Sequence, residues 1–503
     1  MTSRTKKSLL NFTTSSLKTF GILIVSFVAT PLLLKFIGPD RFGTFKVLTE
    51  IQSYLGLAEM GLLGGIAASI FSLSHGPDEN ALMKLLSEAK RSYYRITVFT
   101  LLAGVCILPF LRKLTSWPFP DSWDLYVSFI LIFSSALFLP SNLHRVYIDI
   151  KNRGYVLHVT GLLQSLSFTI IGISLAYLGF QMTSQAIATF ISGALGAYLL
   201  HRKSGIKIAL SPPEPELRKK ISSHQKPQVL NELAGKFCYS SDQIILSMIL
   251  GPLAVTKVFL SQRVVQLMQQ QIVSLGQSLY ASLGSIYYEE DRGKEKFAER
   301  LLEVSKMISM VAVAGLVPIC VLNEAFIELW VGKEFLPANA QQIVYVSAMN
   351  AFFMGIFSFW GYLFTVLGRA GEMTRQFYFQ ALINVCVSIL ATYKLGLIGP
   401  LLGTLTSFIL IPSWVYPHLL HKNFSVPLVR LFASIYVPVL AGIAMILLIQ
   451  QSPLQVHHLG WIKFCLTGAL IFIANALVTF ILLFNKNEKV QFLNRIRKLL
   501  ERK

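Results

Sequence analysis

The chain has 503 residues, of which 53% are hydrophobic and only 14% charged, with a mean hydropathy of +0.58. Soluble domains carry about 25% charged residues, so the composition excludes a water-soluble protein and points to a polytopic membrane protein. The net charge of +20, from 45 Lys and Arg against 25 Asp and Glu, falls in short clusters between apolar runs without any nucleic-acid recognition motif. It reads as membrane orientation, not as binding of DNA or RNA.

A span needs about 20 predominantly apolar residues, because hydrocarbon leaves backbone groups to be satisfied inside a helix. Fourteen segments are predicted to cross: 15–37, 43–72, 92–111, 125–147, 156–179, 182–201, 229–250, 253–287, 302–331, 342–367, 376–397, 399–420, 427–450 and 461–484. The first is read as a retained span, since no small-residue cleavage site follows the basic start. With the N-terminus in the cytoplasm, the clusters Lys84–Arg95, Arg145–Arg153, Arg202–Lys226, Arg292–Lys306, Arg369–Arg375 and Lys486–Lys503 all fall inside, as the positive-inside rule requires. Both termini are therefore expected in the cytoplasm. Trp117, Trp123 and Trp330, in the two longest outer loops, are expected as interfacial anchors.

The expected organisation is a six-helix lobe over 1–202, a Pro-rich basic linker over 203–228, a second six-helix lobe over 229–421, an added helix pair over 422–485, and a basic amphipathic tail over 486–503. The two lobes share a signature. Ile37-Gly38-Pro39 after the first span and Leu250-Gly251-Pro252 after the seventh each introduce a long helix, and Lys46-Val47 aligns with Lys257-Val258. Six is even, so such a repeat is parallel, its axis along the membrane normal. The five cysteines lie within apolar runs without CxxC or CxxH spacing, so neither disulfides nor a metal is indicated, and no cofactor is expected.

Polar residues inside spans mark candidate function, because they are costly in lipid unless they face a cavity or a partner. In the eighth span, Gln262, Arg263, Gln266, Gln269, Gln270, Ser274 and Gln277 share one helical arc, with Gln271 as the outlier. The stripe can line a wet cavity that binds polyhydroxylated material, with Arg263 meeting an anion, or it can hold helices together. In the second span Lys46, Glu50, Ser53 and Tyr54 share a face, with Gln52 and Glu59 nearly opposite. Lys46 and Glu50, like Glu232 and Lys236 in the seventh span, have pairing distance. Glu59, Asp242 and Glu50 are the acids nominated for ion or proton coupling. Lys46, Lys236 and Tyr54 join Arg263 and the glutamines as candidate substrate contacts.

Ile37-Gly38-Pro39-Asp40-Arg41-Phe42-Gly43 followed by Glu59-Met60-Gly61-Leu62 resembles the polysaccharide biosynthesis and export branch of the multidrug/oligosaccharidyl-lipid/polysaccharide (MOP) exporter superfamily, which includes the Wzx-type O-antigen flippases. Leu329-Trp330-Val331-Gly332-Lys333-Glu334-Phe335 and Leu367-Gly368-Arg369 agree with it. Two departures are plain: Gly251-Pro252 lacks the aromatic-Gly that follows the first pair, and fourteen spans exceed the twelve common in Wzx-type members. The resemblance implies two lobes facing each other in a V, and alternating access in the bacterial inner membrane. It also implies a polyprenyl-diphosphate-linked glycan as substrate, with membrane lipids, a polymerase and glycosyltransferases as partners. A lipid II flippase and a cation-coupled multidrug antiporter of the same superfamily are the alternatives. A membrane enzyme is disfavoured because no outer loop is long enough to carry a catalytic domain.

Overall fold

The computed structural model describes residues 3–55, 79–151, 153–210, 233–238, 240–287, 293–367, 369, 371–451, 460–486 and 488–490. Glu59, Glu232, Tyr239, most of the linker and the tail beyond residue 490 lie outside them. The described residues form helices and their connections, with no strand among them. The helices are α1 (Ser3–Ile37), α2 (Pro39–Leu55), α3 (Glu79–Ile107), α4 (Leu111–Thr115), α5 (Trp123–Ser134), α6 (Asn142–Ile150), α7 (Gly154–Tyr177), α8 (Thr183–Ser204) and α9 (Asp242–Leu250). There follow α10 (Pro252–Tyr287), α11 (Gly293–Trp330), α12 (Ala340–Val366), α13 (Gly371–Leu395), α14 (Gly399–Leu410), α15 (Pro412–Phe424), α16 (Leu428–Gln451) and α17 (Trp461–Leu483).

Among the described residues, ten helical stretches are long and apolar enough to cross a bilayer, and one of them, Gly371–Phe424, has 54 residues and turns back on itself at Gly396. The chain is an all-α polytopic membrane protein. The expected spans absent from that set are 43–72, 229–250 and 253–287, the ones that carry the candidate polar residues; the first two are described only in part. The expected anchors divide: Trp123 is exposed, but Trp117 and Trp330 are buried. The Trp117 indole N–H is spent on the Asp121 carbonyl at 2.8 Å, so this ring braces its own loop and does not anchor it in the interface.

Proline redraws two of the predicted spans. Lacking an N–H and clashing with the preceding turn, it cannot continue an α-helix undisturbed. Pro140 lies in a 3₁₀ stretch, Ser135–Ser141, between α5 and α6, and Pro412 separates α14 from α15 at Ile411. A third is redrawn without one. The segment expected as 229–250 is helical over 233–238 and again from Asp242, with a turn at Ser240 and a bend at Ser241 between them. Here Ser241 Oγ donates to the Phe237 carbonyl at 3.1 Å, offering the backbone an alternative partner.

The chain forms two compact units, Met1–Thr256 and Lys257–Lys503, the division falling inside α10. In the first, α1 packs on α7 and α7 on α8, while Leu82, Leu86, Tyr93, Leu143 and Tyr147 form a core between α3 and α6. Both Gly-Pro turns lie here and have one geometry. Gly38 and Gly251 sit at φ +79° and +85°, where a side chain would be strained, and each is followed by proline at the first helical position. The turns touch. A Cβ at Gly43 would lie 2.0 Å from the Pro252 carbonyl oxygen and 2.8 Å from Thr256 Oγ1, and Thr256 Oγ1 donates to the Pro39 carbonyl at 2.6 Å. One glycine suffices for this crossing: Thr256, at the place in the second turn that matches Gly43 in the first, packs against that glycine. Nearby, Asp124 accepts from Arg41 Nε at 3.1 Å and from Thr183 N and Oγ1 at 2.8 and 2.7 Å, tying the first turn to the N-terminus of α8.

In the second unit α11 and α12 are the innermost spans, with most of their apolar windows buried. Trp360 Nε1 donates to Ser305 Oγ at 2.9 Å, and Phe353, Phe357, Phe408 and Tyr416 stack around them. Helix α17 has two faces: Ile471, Asn475, Thr479 and Leu483 are buried, whereas Leu466, Leu470, Ile473, Leu477 and Ile481 are exposed, as expected of a helix bathed by lipid on one side. Lys306 Nζ clasps both Glu488 oxygens at 2.8 and 2.9 Å, pinning the chain just past α17 to α11.

Two outcomes are expected. Gly43→Ala has no room against backbone atoms and should destabilise the purified protein by about 2 kcal/mol, seen as a lower melting temperature, while Gly235→Ala, with open space around it, leaves melting unchanged. For Glu488, burial alone raises the pKa, but hydrogen bonds from Lys306 and from the Asn485 N–H, with the charges of Lys306 and Arg430, outweigh it and hold the carboxyl below the ordinary glutamate value. The stabilisation is therefore present above that ordinary value and lost as pH falls through the depressed one. Amide exchange around residues 480–490, taken relative to the unstructured-peptide rate at each pH, should lose protection on acidification in the wild type and be poorly protected at every pH in Glu488→Gln.

Candidate functional site

The interrupted helix before α9 meets α2 and assembles most of the acids and bases nominated on those two elements. Lys236 Nζ lies 3.0 Å from Ser53 Oγ, to which it donates, and 3.7 Å from Glu50 Oε1. Tyr54 donates its hydroxyl to the Lys236 carbonyl at 3.1 Å, the same carbonyl that accepts from Ser240 N at 2.8 Å. The Tyr54 ring also packs edge-on against Phe237. Asp242 opens α9 beside these groups, within electrostatic reach of Glu50 and Tyr54, and its Oδ1 is buried with no hydrogen-bond partner among the described residues. A carboxylate in the first turn of a helix is favoured by the exposed N–H groups there, and an interrupted span is where transporters place backbone groups at membrane depth. The cluster can hold one net negative charge, and so can exchange a proton or a cation.

The eighth-span stripe is a second assembly, in the other unit. Gln262 Nε2 donates to Ser347 Oγ at 3.1 Å, Gln269 Nε2 to Met354 Sδ, and Gln277 Nε2 to Tyr362 OH at 2.6 Å. Their partners on α12 follow at matching intervals in the same direction, so α10 and α12 run parallel with a near-heptad register. Gln266 donates to Gln262 Oε1 at 3.2 Å. The packing alternative thus holds for part of the stripe: Gln262, Gln269 and Gln277 spend amide protons on α12. Gln270 and Gln271 are exposed, and Arg263 is partly buried with its guanidinium 5.6 Å from the centre of the Phe259 ring.

Lys46 goes elsewhere. Its ammonium is 5.1 Å from the Phe42 ring centre, and it lines a polar cavity of about 430 Å³ within the first unit, between α2, the 3₁₀ stretch, α7 and α8. Ser135, Asn142, Gln164, Thr189 and Ser192 also face this cavity, and the sequence reading singles out none of them. Gln52, expected nearly opposite Lys46 on α2, donates to the Ile132 carbonyl at 3.0 Å and to Ser135 Oγ at 2.6 Å, and so meets the same 3₁₀ stretch that borders the Lys46 cavity. Among Ser135, Asn142, Gln164, Thr189 and Ser192, the first alone has a signal in the sequence, the spacing by three of Ser135–Phe138–Ser141, which a 3₁₀ helix stacks on one face.

Coupling between Glu50 and Lys236 is measurable. Glu50→Gln and Lys236→Gln, singly and together, should show an interaction energy of about 1 kcal/mol in a double-mutant cycle on unfolding. Strictly additive effects would mean that the 3.7 Å approach carries no energy.

The sequence matches the family described as "Polysaccharide biosynthesis protein" over residues 83–340, just over half of the chain. No curated protein sequence matches. Among solved structures, the fold is similar to the lipid II flippase MurJ in an inward closed conformation, at 15% identity and a TM-score of 0.71, covering 93% of this chain and 98% of that one. It is similar also to the MATE multidrug transporter DinF-BH (16% identity, TM-score 0.61, 84% and 97% covered). An inward-facing multidrug resistance MATE family transporter of the MOP superfamily gives 16% identity and a TM-score of 0.59 over 77% and 92%. At these identities the likeness establishes the fold. The chain belongs to the polysaccharide biosynthesis protein family and has the all-α fold of MOP-superfamily transporters.

Proposed function

We propose that the protein is a flippase that carries a polyprenyl-diphosphate-linked oligosaccharide across the bacterial cytoplasmic membrane by alternating access, for assembly of a surface polysaccharide such as O-antigen, capsule or exopolysaccharide. One observation carries this reading: a member of the polysaccharide biosynthesis family has, along 93% of its length, the fold of a lipid flippase. Both termini lie in the cytoplasm, where the basic clusters fall. The glycan comes from cytoplasmic glycosyltransferases and passes to a polymerase on the far side.

The residues fit that cargo chemically. A diphosphate calls for fixed cations, and the candidates are Arg263 in the second unit and Lys236 and Lys46 in the first. Sugar hydroxyls call for groups that donate and accept: the exposed Gln270 offers a whole amide, Gln262, Gln266, Gln269 and Gln277 offer what their bonds within the protein leave over, and the Tyr54 oxygen, its proton given to the Lys236 carbonyl, offers an acceptor. Glu50 and Asp242, with Glu59, are the acids whose protonation or cation binding biases the cycle. Lipid II as the cargo is a second reading, favoured by the same fold likeness. A multidrug antiporter is disfavoured by the cationic character of α10, since Arg263 repels a cationic drug.

Cells lacking the protein should trap lipid-linked glycan on the cytoplasmic leaflet. Arg263→Glu should reproduce that defect at wild-type protein level, with export of drug cations not raised. Labelled glycan that reaches the outer leaflet at the normal rate, with no redundant exporter present, contradicts the proposal. Complementation of a lipid II transport defect instead decides for the second reading.

A further inference from the structure

The cavity of the first unit has a chemistry of its own. Its hydroxyls have spent their protons: Thr49 Oγ1 donates to the Lys46 carbonyl at 2.8 Å, Ser135 and Ser141 to the Ile132 and Phe138 carbonyls at 2.6 Å each, and Thr189 to the Gln185 carbonyl at 2.8 Å. A hydroxyl has one proton and two lone pairs, so these groups meet the cavity as acceptors, Ser135 with the one lone pair that the Gln52 amide leaves it. They call for a ligand rich in donors. None of the described residues lining the cavity is acidic, so an organic cation would find no counter-charge at a depth where isolated charge is costly. The Lys46 ammonium and the Gln164 amide supply donors in return, and Phe45, Phe138 and Phe168 supply flat apolar walls.

The cavity is built, not left over. The 3₁₀ stretch stacks Ser135, Phe138 and Ser141 on one side, all three facing the cavity. On the opposite wall, Gly196 has no side chain where a Cβ would lie 2.9 Å from Gln164 Oε1 and 3.0 Å from its Cδ. The amide of Gln164 thus rests on the α8 backbone near the middle of both helices. A volume of about 430 Å³ falls within the range of small-molecule sites.

We infer that this cavity is a sugar-binding pocket of the first unit, taking one hydroxyl-rich ring whose hydroxyls donate to Thr49, Ser135, Ser141 and Thr189 and accept from Gln164 and Lys46. The inference rests on the flippase reading for its cargo, and places part of the glycan contact apart from the α10 stripe. Gln164 touches the sugar; Gly196 positions Gln164.

The test uses the full chain in detergent, by equilibrium dialysis with radiolabelled glucose, N-acetylglucosamine and glucuronate, and tetraphenylphosphonium as a cationic probe. Saturable millimolar binding of at least one sugar is expected, weakened about tenfold by Gln164→Leu through lost hydrogen bonds, abolished by Gly196→Leu, which fills the pocket, and unchanged in Gln450→Leu. Should Gly196→Leu not fold, Gln164→Leu alone decides. Absence of sugar binding, binding of the cation instead, or sugar binding equal to wild type in the Gln164 variant overturns the inference. The two readings separate in a flipping assay. Normal glycan flipping by Gln164→Leu overturns the pocket and leaves the flippase. Sugar binding lost in Gln164→Leu, by a wild-type protein that flips no lipid-linked glycan, overturns the flippase and leaves the pocket.

Discussion

Hydrocarbon offers no hydrogen bonds, and that constraint governs this molecule from its composition to its site. Every polar group within a span must be met by another group of the chain or face a cavity. Asp124 is met by Arg41 and the start of α8, Lys236 by Ser53 and Glu50, and Trp360 by Ser305. Many serine and threonine hydroxyls turn back on their own helices, as Ser347 and Thr392 do. Against that background, the buried polar atoms without a partner among the described residues, Asp242 Oδ1 and both amide atoms of Asn323 and Asn475 among them, and a polar cavity among four helical segments are departures.

The structure separates two kinds of polar residue that look alike in a helical span. The α10 amides that bond to Ser347, Met354 and Tyr362 hold two parallel helices in register. The α2 residues Lys46 and Glu50, one turn apart, serve two places: the first lines the cavity and the second meets Lys236 on the interrupted helix. Polar side chains within the helices are thus either bonded across a helix pair or gathered at a cavity or a charge cluster.

Much of the fold was legible in the sequence. Long apolar runs marked the spans, and Gly38-Pro39 and Gly251-Pro252 marked two turns whose glycines take positive φ. Helices α2, α9 and α10 stood out by their polar residues. The 3₁₀ stretch at Pro140 and the break at Pro412 fall at prolines, but Pro31, Pro318, Pro417 and Pro438 lie inside continuous helices, so proline alone did not place the breaks. The reason for Gly43 was not legible, because the atom it makes room for, the Pro252 carbonyl oxygen, belongs to a residue 209 positions away (252 − 43). The sugar pocket was hidden for the same reason. Its serines, threonines and glutamine are scattered over α2, the 3₁₀ stretch, α7 and α8, and each alone looks like ordinary interhelical bonding.

The central claim is that this chain alone moves a lipid-linked glycan between leaflets. Purified protein in proteoliposomes, loaded with a fluorescent polyprenyl-diphosphate oligosaccharide on one leaflet, tests it directly through the rate at which label becomes accessible to a membrane-impermeant quencher. The account predicts a rate well above protein-free vesicles and reduced to that background by Arg263→Glu. A wild-type rate no faster than that of empty vesicles, in protein that keeps its helical fold, contradicts it.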